Sequence, residues 1–282
     1  MTRIEIEGVG IEYELLGPEH AHAVSVTPGG RMSKDAGGVR ELGEALAALG
    51  KRVLLWDRPN GGMSDFHFEG DNESAMQGRF LTSLIRKLEL GPTALAGGSA
   101  GSRCSLLAAV QDPGAVSHLV QWWISGGTVS LMMLGASYDC EPAIAASMGG
   151  MEAVAKLTAF ADPLERNPKA REQLLAQDPA RFIACMERWA EAFVPNNESP
   201  VPGMTPEDWA SLKMPVLIFR GSEKDLYLHR RITDWAARLI PHAKSIELPW
   251  SDAEFVASFT DGGSPLREWH RLAPAIAEFT KG

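Results

Sequence analysis

Five consecutive residues constrain this chain more than any others: Gly97-Gly98-Ser99-Ala100-Gly101. They follow a short apolar run, residues 93–96, that reads as a buried strand, and they precede residues 102–110, which read as a buried helix. A strand that turns straight into a helix tolerates only small side chains beside the turning residue, and Gly97, Gly98, Ala100 and Gly101 all comply. The serine between them is expected in a strained backbone conformation, with its hydroxyl at the helix N-terminus. Glycine-rich turns between strand and helix can also cradle phosphate. That use needs Gly-x-Gly-x-x-Gly or Gly-x-x-x-x-Gly-Lys-Ser/Thr, and neither spacing is present.

The stretches around this turn alternate in the same way. Residues 3–7 and 11–16 alternate apolar and polar side chains as a hairpin with one solvated face would. Residues 23–26 form a short apolar run that stops at Thr27-Pro28-Gly29-Gly30. A helix over 42–49 ends with Gly50 placed as its cap, and a strand over 53–56 runs into Asp57-Arg58-Pro59-Asn60-Gly61-Gly62. Residues 74–88 carry Met76, Phe80, Leu81, Leu84, Ile85 and Leu88 on one helical stripe, and 118–124 read as the next strand. Strands and helices in alternation with short links imply an α/β fold, a mostly parallel sheet covered on both faces. From 126 to 212 the pattern turns helical, interrupted by Gly149-Gly150 and Pro195-Asn196-Asn197, before strand chemistry returns at 216–219 and 244–248. A final helix is expected over 266–281. The expected division is therefore a core of residues 1–125 and 213–282, with 126–212 as an inserted helical cap.

Composition narrows the partners. Of 282 residues, 45% are hydrophobic and 22% charged, enough for a large core, and the net charge is −9. That acidity argues against nucleic acid or an anionic membrane, both of which select positive potential. No apolar stretch is long enough to span a bilayer, and the first residues lack an apolar signal core. Three cysteines, Cys104, Cys140 and Cys185, show no Cys-x-x-Cys spacing, so buried free thiols in a reducing, cytoplasmic setting are expected. A small molecule is the expected partner, with no metal and no cofactor; a homodimer stays open.

With these landmarks in order, the chain resembles the capped α/β-hydrolase superfamily over nearly its whole length. Gly97-Gly98-Ser99-Ala100-Gly101 matches its nucleophile elbow, and Thr27-Pro28-Gly29-Gly30 stands where its oxyanion loop does. Asp57-Arg58-Pro59-Asn60-Gly61-Gly62-Met63-Ser64-Asp65 resembles its Asp-x-x-Gly-x-Gly-x-Ser turn, and Arg220-Gly221-Ser222-Glu223-Lys224-Asp225 its acid-bearing turn. The resemblance implies Ser99 as nucleophile, the amides of Ala100 and of the Gly29-Gly30 loop as oxyanion donors, and Asp225 as the triad acid.

One departure matters more than the matches. The superfamily places its histidine just after the last strand, where this chain has Pro249-Trp250-Ser251-Asp252-Ala253-Glu254-Phe255. Of the seven histidines, His67, His229 and His270 are candidates to replace it, and His270 is preferred because a long segment, residues 252–264, precedes it and could fold back over the sheet edge. Asp252 or Glu254 could instead act as a carboxylate base near the vacant place. The resemblance implies that Arg103, one helical turn beyond Ser99, contacts an anionic group of the substrate, and Arg31, directly after the glycine loop, is a second candidate for such a contact. Trp122 or Trp123 should face the pocket, with Met132, Met133, Met148, Met151, Phe160 and Trp189 in the cap above it. The leading expectation is a hydrolase of a small, largely apolar ester, lactone or ketonic carbon–carbon bond. The alternatives are a cofactor-free lyase, cyclase or decarboxylase using a carboxylate near Asp252, and a non-catalytic ligand-binding relative.

Overall fold

The alternating N-terminal stretch forms β1 (Thr2–Ile6) and β2 (Val9–Leu16), an antiparallel hairpin at one edge of an eight-stranded sheet. A computed structural model of the chain describes residues 2–262, 264 and 266–281; Met1, Gly263, Pro265 and Gly282, which the expected segments include, lie outside the described residues. The remaining strands are β3 (Ala23–Thr27), β4 (Arg52–Trp56), β5 (Thr93–Ser99), β6 (Val116–Ile124), β7 (Val216–Arg220) and β8 (Lys244–Glu247). Their order is β1-β2-β4-β3-β5-β6-β7-β8, and every pairing from β4 onward is parallel. The short apolar runs become strands because both faces are covered, which leaves no polar face to alternate with.

Two buried clusters flank the sheet. One packs α2 (Glu73–Lys87) and α3 (Ala100–Gln111) on one face; the other packs α1 (Val39–Ala48), a 3-10 turn (Arg267–Leu272) and the C-terminal helix (Ala273–Phe279) on the opposite face. Neighbouring strands β3 and β5 therefore send their chains to opposite sides, β3 towards α1 and β5 into α3. Such a reversal opens a crevice at the C-terminal ends of the two strands. The loop of Gly29 and Gly30 and the turn at Ser99 both sit there.

Between β6 and β7 the described chain holds only helical elements: α4 (Gly127–Gly135), a five-residue π-turn (Ala136–Cys140), α5 (Glu141–Val154), a 3-10 turn (Thr158–Phe160), α6 (Ala161–Arg166), α7 (Ala170–Leu175), α8 (Pro179–Ala192) and α9 (Pro206–Ser211). Then follow α10 (Arg230–Leu239), α11 (Asp252–Thr260) and α12, the C-terminal helix. Among the described residues no helix is long and apolar enough to cross a membrane.

Three expectations need correction. The single final helix over 266–281 is instead the 3-10 turn followed by the short α12. The long segment after β8 is itself a helix, α11, started by a capping box between Ser251 and Glu254. Cys104 and Cys185 are buried free thiols as expected, whereas Cys140 is exposed.

The Ser99 turn depends on close approach more than on glycine's backbone freedom. A Cβ on Gly101 would stand 2.2 Å from the Thr27 carbonyl oxygen, tying the start of α3 to the end of β3. Gly101→Ala is expected to cost about 1–3 kcal/mol in a denaturant melt, the range for overpacking. Gly114→Ala, where the backbone is not left-handed and the nearest atoms would stand at an ordinary 3.6 Å, should cost about 1 kcal/mol or less. Equal losses at the two positions would show that the close approach is not what makes Gly101 necessary.

Candidate active site

Ser99 closes β5 with φ 56° and ψ −123°, the strained geometry expected of a strand that turns directly into α3. Its side chain lies on the wall of a cavity of about 250 Å³. Gly29 backs it closely: a Cβ there would come within 3.1 Å of Ser99 Cβ and 3.5 Å of Oγ. Ala100, the first residue of α3, also lines the cavity, and first-turn amides have no partner inside their own helix.

The Gly29-Gly30 loop is held from behind by Arg58. Its Nη2 donates to Gly29 O at 3.2 Å and to Gly30 O, while Nη1 donates to Gln77 Oε1 at 3.1 Å. Every described peptide bond is trans, so each N–H opposes the carbonyl of its own peptide unit. Fixing both carbonyls on Arg58 turns the amides of Gly30 and Arg31 the other way. Arg58 owes its place to the Asp57 turn. Buried Asp57 accepts from the amides of Lys34 (2.5 Å) and Met63 (2.8 Å), which pins this turn to the loop after β3.

Three of the expected substrate-contacting residues reach the cavity: Arg31, Arg103 and Trp123. Arg31 is almost fully buried, its guanidinium between the rings of Tyr138 (5.0 Å) and Phe160 (4.6 Å) and beside Glu73. Arg103 donates to Ser74 Oγ at 3.2 Å and to Ser125 Oγ, with its guanidinium over Phe193. Burial pushes the guanidinium pKa values of Arg58 and Arg103 down, although arginine stays charged in proteins. Trp123 sits at a register shift between β5 and β6 with φ 46°, and its indole N–H has no acceptor among the described residues. Its neighbour Trp122 is buried against Trp269 instead.

The expected base is not there. His270 is exposed on the Arg267–Leu272 turn, with Nδ1 2.8 Å from Arg267 O; its buried neighbour Trp269 faces the core. His67 packs on Phe80 in a different cleft, and His229 caps α10 by accepting from the Arg231 amide. Among the described residues no histidine lines the cavity. Asp252 is exposed at the start of α11 and accepts from the Ser222 hydroxyl, outside the cavity, so it is not placed as a base. After β8 the chain instead turns Trp250 and Phe255 onto Trp123, with ring centroids 5.9 and 5.8 Å away. Asp225 is buried, and its Oδ1 accepts from the amides of Tyr227 (2.8 Å) and Leu228 (2.9 Å), its own turn, with no histidine to orient.

Several cavity residues carried no local signal. Arg58, Gln77 and Glu73 come from the turn after β4 and from α2; Leu134, Tyr138 and Phe193 come from the helical insertion, and Phe259 from α11. The π-turn that points Tyr138 at the cavity also buries Asp139, whose two carboxyl oxygens have no hydrogen-bond partner among the described residues. Burial, and then the charge of Glu73, raise the Asp139 carboxyl to about 8. Among the described residues no group of three or more His, Cys, Asp or Glu side chains converges as a metal site would.

No family model and no curated protein matches the chain. Solved structures do match along its whole length. An enol-lactonase from Burkholderia xenovorans LB400 is 17% identical, with a TM-score of 0.66 over 100% of both chains. A thermophilic esterase from Thermogutta terrifontis, malate bound, is 17% identical with a TM-score of 0.64, over 99% of this chain and 98% of that one. An E-2-(acetamidomethylene)succinate hydrolase is 18% identical with a TM-score of 0.63, over 100% of this chain and 98% of that one. At this identity the likeness is one of fold.

The Asp139 carboxyl makes stability depend on pH. Its folded pKa is raised far above the unfolded one, so the folded chain keeps a proton that the unfolded chain has released, and stability falls as pH rises. The window runs from the ordinary carboxyl range near 4 to about 8. Asp139→Asn is therefore expected to melt close to the parent at pH 4 and well above it at pH 8. Parallel melting curves across that window would show Asp139 to be ionised in the folded chain.

Proposed function

We infer that this chain, which has the α/β-hydrolase fold, hydrolyses small esters or lactones with Ser99 at the reacting carbonyl. One observation carries the reading: a serine at φ 56° on the wall of a small cavity, with Gly29 pressed against its side chain. In this reading the amides of Ala100 and Gly30 receive the carbonyl oxygen as it gains charge. One such donor is worth about 3 kcal/mol of transition-state stabilisation. The helical insertion serves as a cap, its Leu134, Tyr138 and Phe193 closing the cavity over the sheet. A volume of about 250 Å³ lies below the range typical of drug-sized ligands, which favours a small substrate. The neighbours named above, an enol-lactonase, an esterase and the hydrolase of a substituted succinate, support chemistry on small acyl compounds.

The absence of a histidine at Ser99 favours a second reading, a cofactor-free lyase or decarboxylase. The same amide donors would hold an enolate oxygen, and Glu73, the carboxylate on the cavity wall, would accept or return the proton. Ser99 then positions the carbonyl and forms no covalent bond to it.

A fluorophosphonate probe separates the two. On the first reading it labels the folded chain at Ser99, and Ser99→Ala abolishes the label. Folded protein that resists labelling overturns the serine-hydrolase reading. If that protein and its Ser99→Ala variant both still cleave or decarboxylate a small keto acid, the second reading takes its place.

A further inference from the structure

The cavity around Ser99 is unbalanced in charge. Three guanidinium groups, those of Arg31, Arg58 and Arg103, line it against a single carboxylate, Glu73. Arg58 donates to two carbonyls and an amide oxygen, Arg103 to two hydroxyls, and among the described residues neither has a carboxylate within salt-bridge distance. Dipoles of this kind satisfy hydrogen bonds but do not cancel a full charge. The other acid nearby, Asp139, has no hydrogen-bond partner for either oxygen among the described residues.

Arg31 is the unfinished member. Its side chain is 4% exposed. Its Nε donates to Glu73 Oε1 across a long 3.4 Å, and Nη2 lies 3.3 Å from the same oxygen without aligning on it. Neither Nη1 nor Nη2 has an acceptor among the described residues. A buried guanidinium with open donors on its fork is costly unless something completes it. The group is also held in place, between Tyr138 and Phe160, so a partner would lose little further side-chain freedom on binding. A planar fork of this kind matches a carboxylate in two parallel hydrogen bonds.

We propose that Arg31, with the charges of Arg58 and Arg103 behind it, binds a carboxylate carried by the substrate. The substrate class is then a small acid that bears its ester or lactone carbonyl a few bonds from a free carboxylate, such as the monoester of a dicarboxylic acid. The reacting carbonyl at Ser99 rests on the hydrolase reading; the carboxylate contact does not.

The test is calorimetric binding to the Ser99→Ala chain, which cannot turn a substrate over through Ser99. The probes are monomethyl glutarate, dimethyl glutarate and glutarate, each up to tens of millimolar at neutral pH. The monoester is expected to bind about tenfold or more tightly than the diester, the gain of a charge-assisted pair. Arg31→Met should erase that preference, and Arg31→Lys should restore only part of it, because an ammonium keeps the charge but not the fork. Glu73→Gln, which removes the competing carboxylate, should tighten monoester binding and tests the proposal even if the Arg31 variants do not fold. Equal affinity for monoester and diester, a preference that survives Arg31→Met, or no binding of any of the three overturns the proposal. Fluorophosphonate labelling of the parent chain does not use Arg31. Labelling without carboxylate binding leaves the hydrolase reading standing alone, and the reverse outcome leaves the carboxylate site without that reading.

Discussion

Everything at this site depends on how closely the start of α3 approaches the end of β3. The backbone at Gly101 rests on the Thr27 carbonyl, where a methyl group would have to push the two loops apart, and Gly29 lies against the Ser99 side chain, where a methyl group would leave 3.1 Å to Ser99 Cβ. Because β3 and β5 are neighbours whose chains leave to opposite faces, that contact is also where the sheet opens. Close packing and topology thus select the same point. The strained serine persists because β5 pairs with strands on both sides and α3 is buried along its first three turns, so the surroundings over-determine its conformation.

Around this contact the chain has gathered buried positive charge. Desolvating a guanidinium is costly, and Arg58 and Arg103 carry that cost with neutral partners alone. Arg58 gives a structural return: by holding the Gly29 and Gly30 carbonyls it fixes the direction of the amides in the loop facing Ser99. Arg103 directs its donors to two side-chain hydroxyls, those of Ser74 and Ser125, and not to the backbone of that loop. On the proposal above, a substrate carboxylate would supply the opposite charge that these neutral partners do not.

How much of this could be read from the sequence follows from how local each signal is. The elbow, the strands and the Asp57 turn were legible because each is specified by residues close in sequence: Gly97 to Gly101 by size, 53–56 by an unbroken apolar run, Asp57 by the glycines that follow it. Arg31 and Arg103 lie at short fixed spacings from those landmarks, whereas strand alternation alone leaves Trp122 or Trp123 to face the pocket. His270 did not. The pattern over 266–281 is compatible with one helix, and only tertiary packing of Trp269 and Leu272 decides that a 3-10 turn leaves His270 outside. Asp252 was equally misleading, because a carboxylate at the first turn of a helix looks the same in sequence whether the helix overhangs a pocket or, as here, ties itself to Ser222. Arg58, Glu73 and Tyr138 reach the cavity from three separate elements, and no local pattern marks such convergence.

The aromatic side chains after β8 fill volume beside Trp123 and present no imidazole to the cavity. Trp123 leaves the regular strand at a register shift, and Trp250, Phe255 and Trp269 pack around its ring with centroids 5.6 to 5.9 Å away. Aromatic contacts of that kind contribute about 0.5–1.5 kcal/mol each beyond their buried area, so the cluster is a stabilising core beside the cavity. Asp225 agrees with this arrangement, since its carboxylate serves the amides of Tyr227 and Leu228 and thereby shapes the turn that presents both residues to the cavity. Among the described residues, neither the Asp225 turn nor the chain after β8 brings an imidazole to Ser99. On the reading proposed above, such a pocket would stabilise charge on the substrate's oxygen atoms through amides and guanidinium groups, and would leave proton transfer to Glu73, the one carboxylate on the described cavity wall, or to the substrate itself.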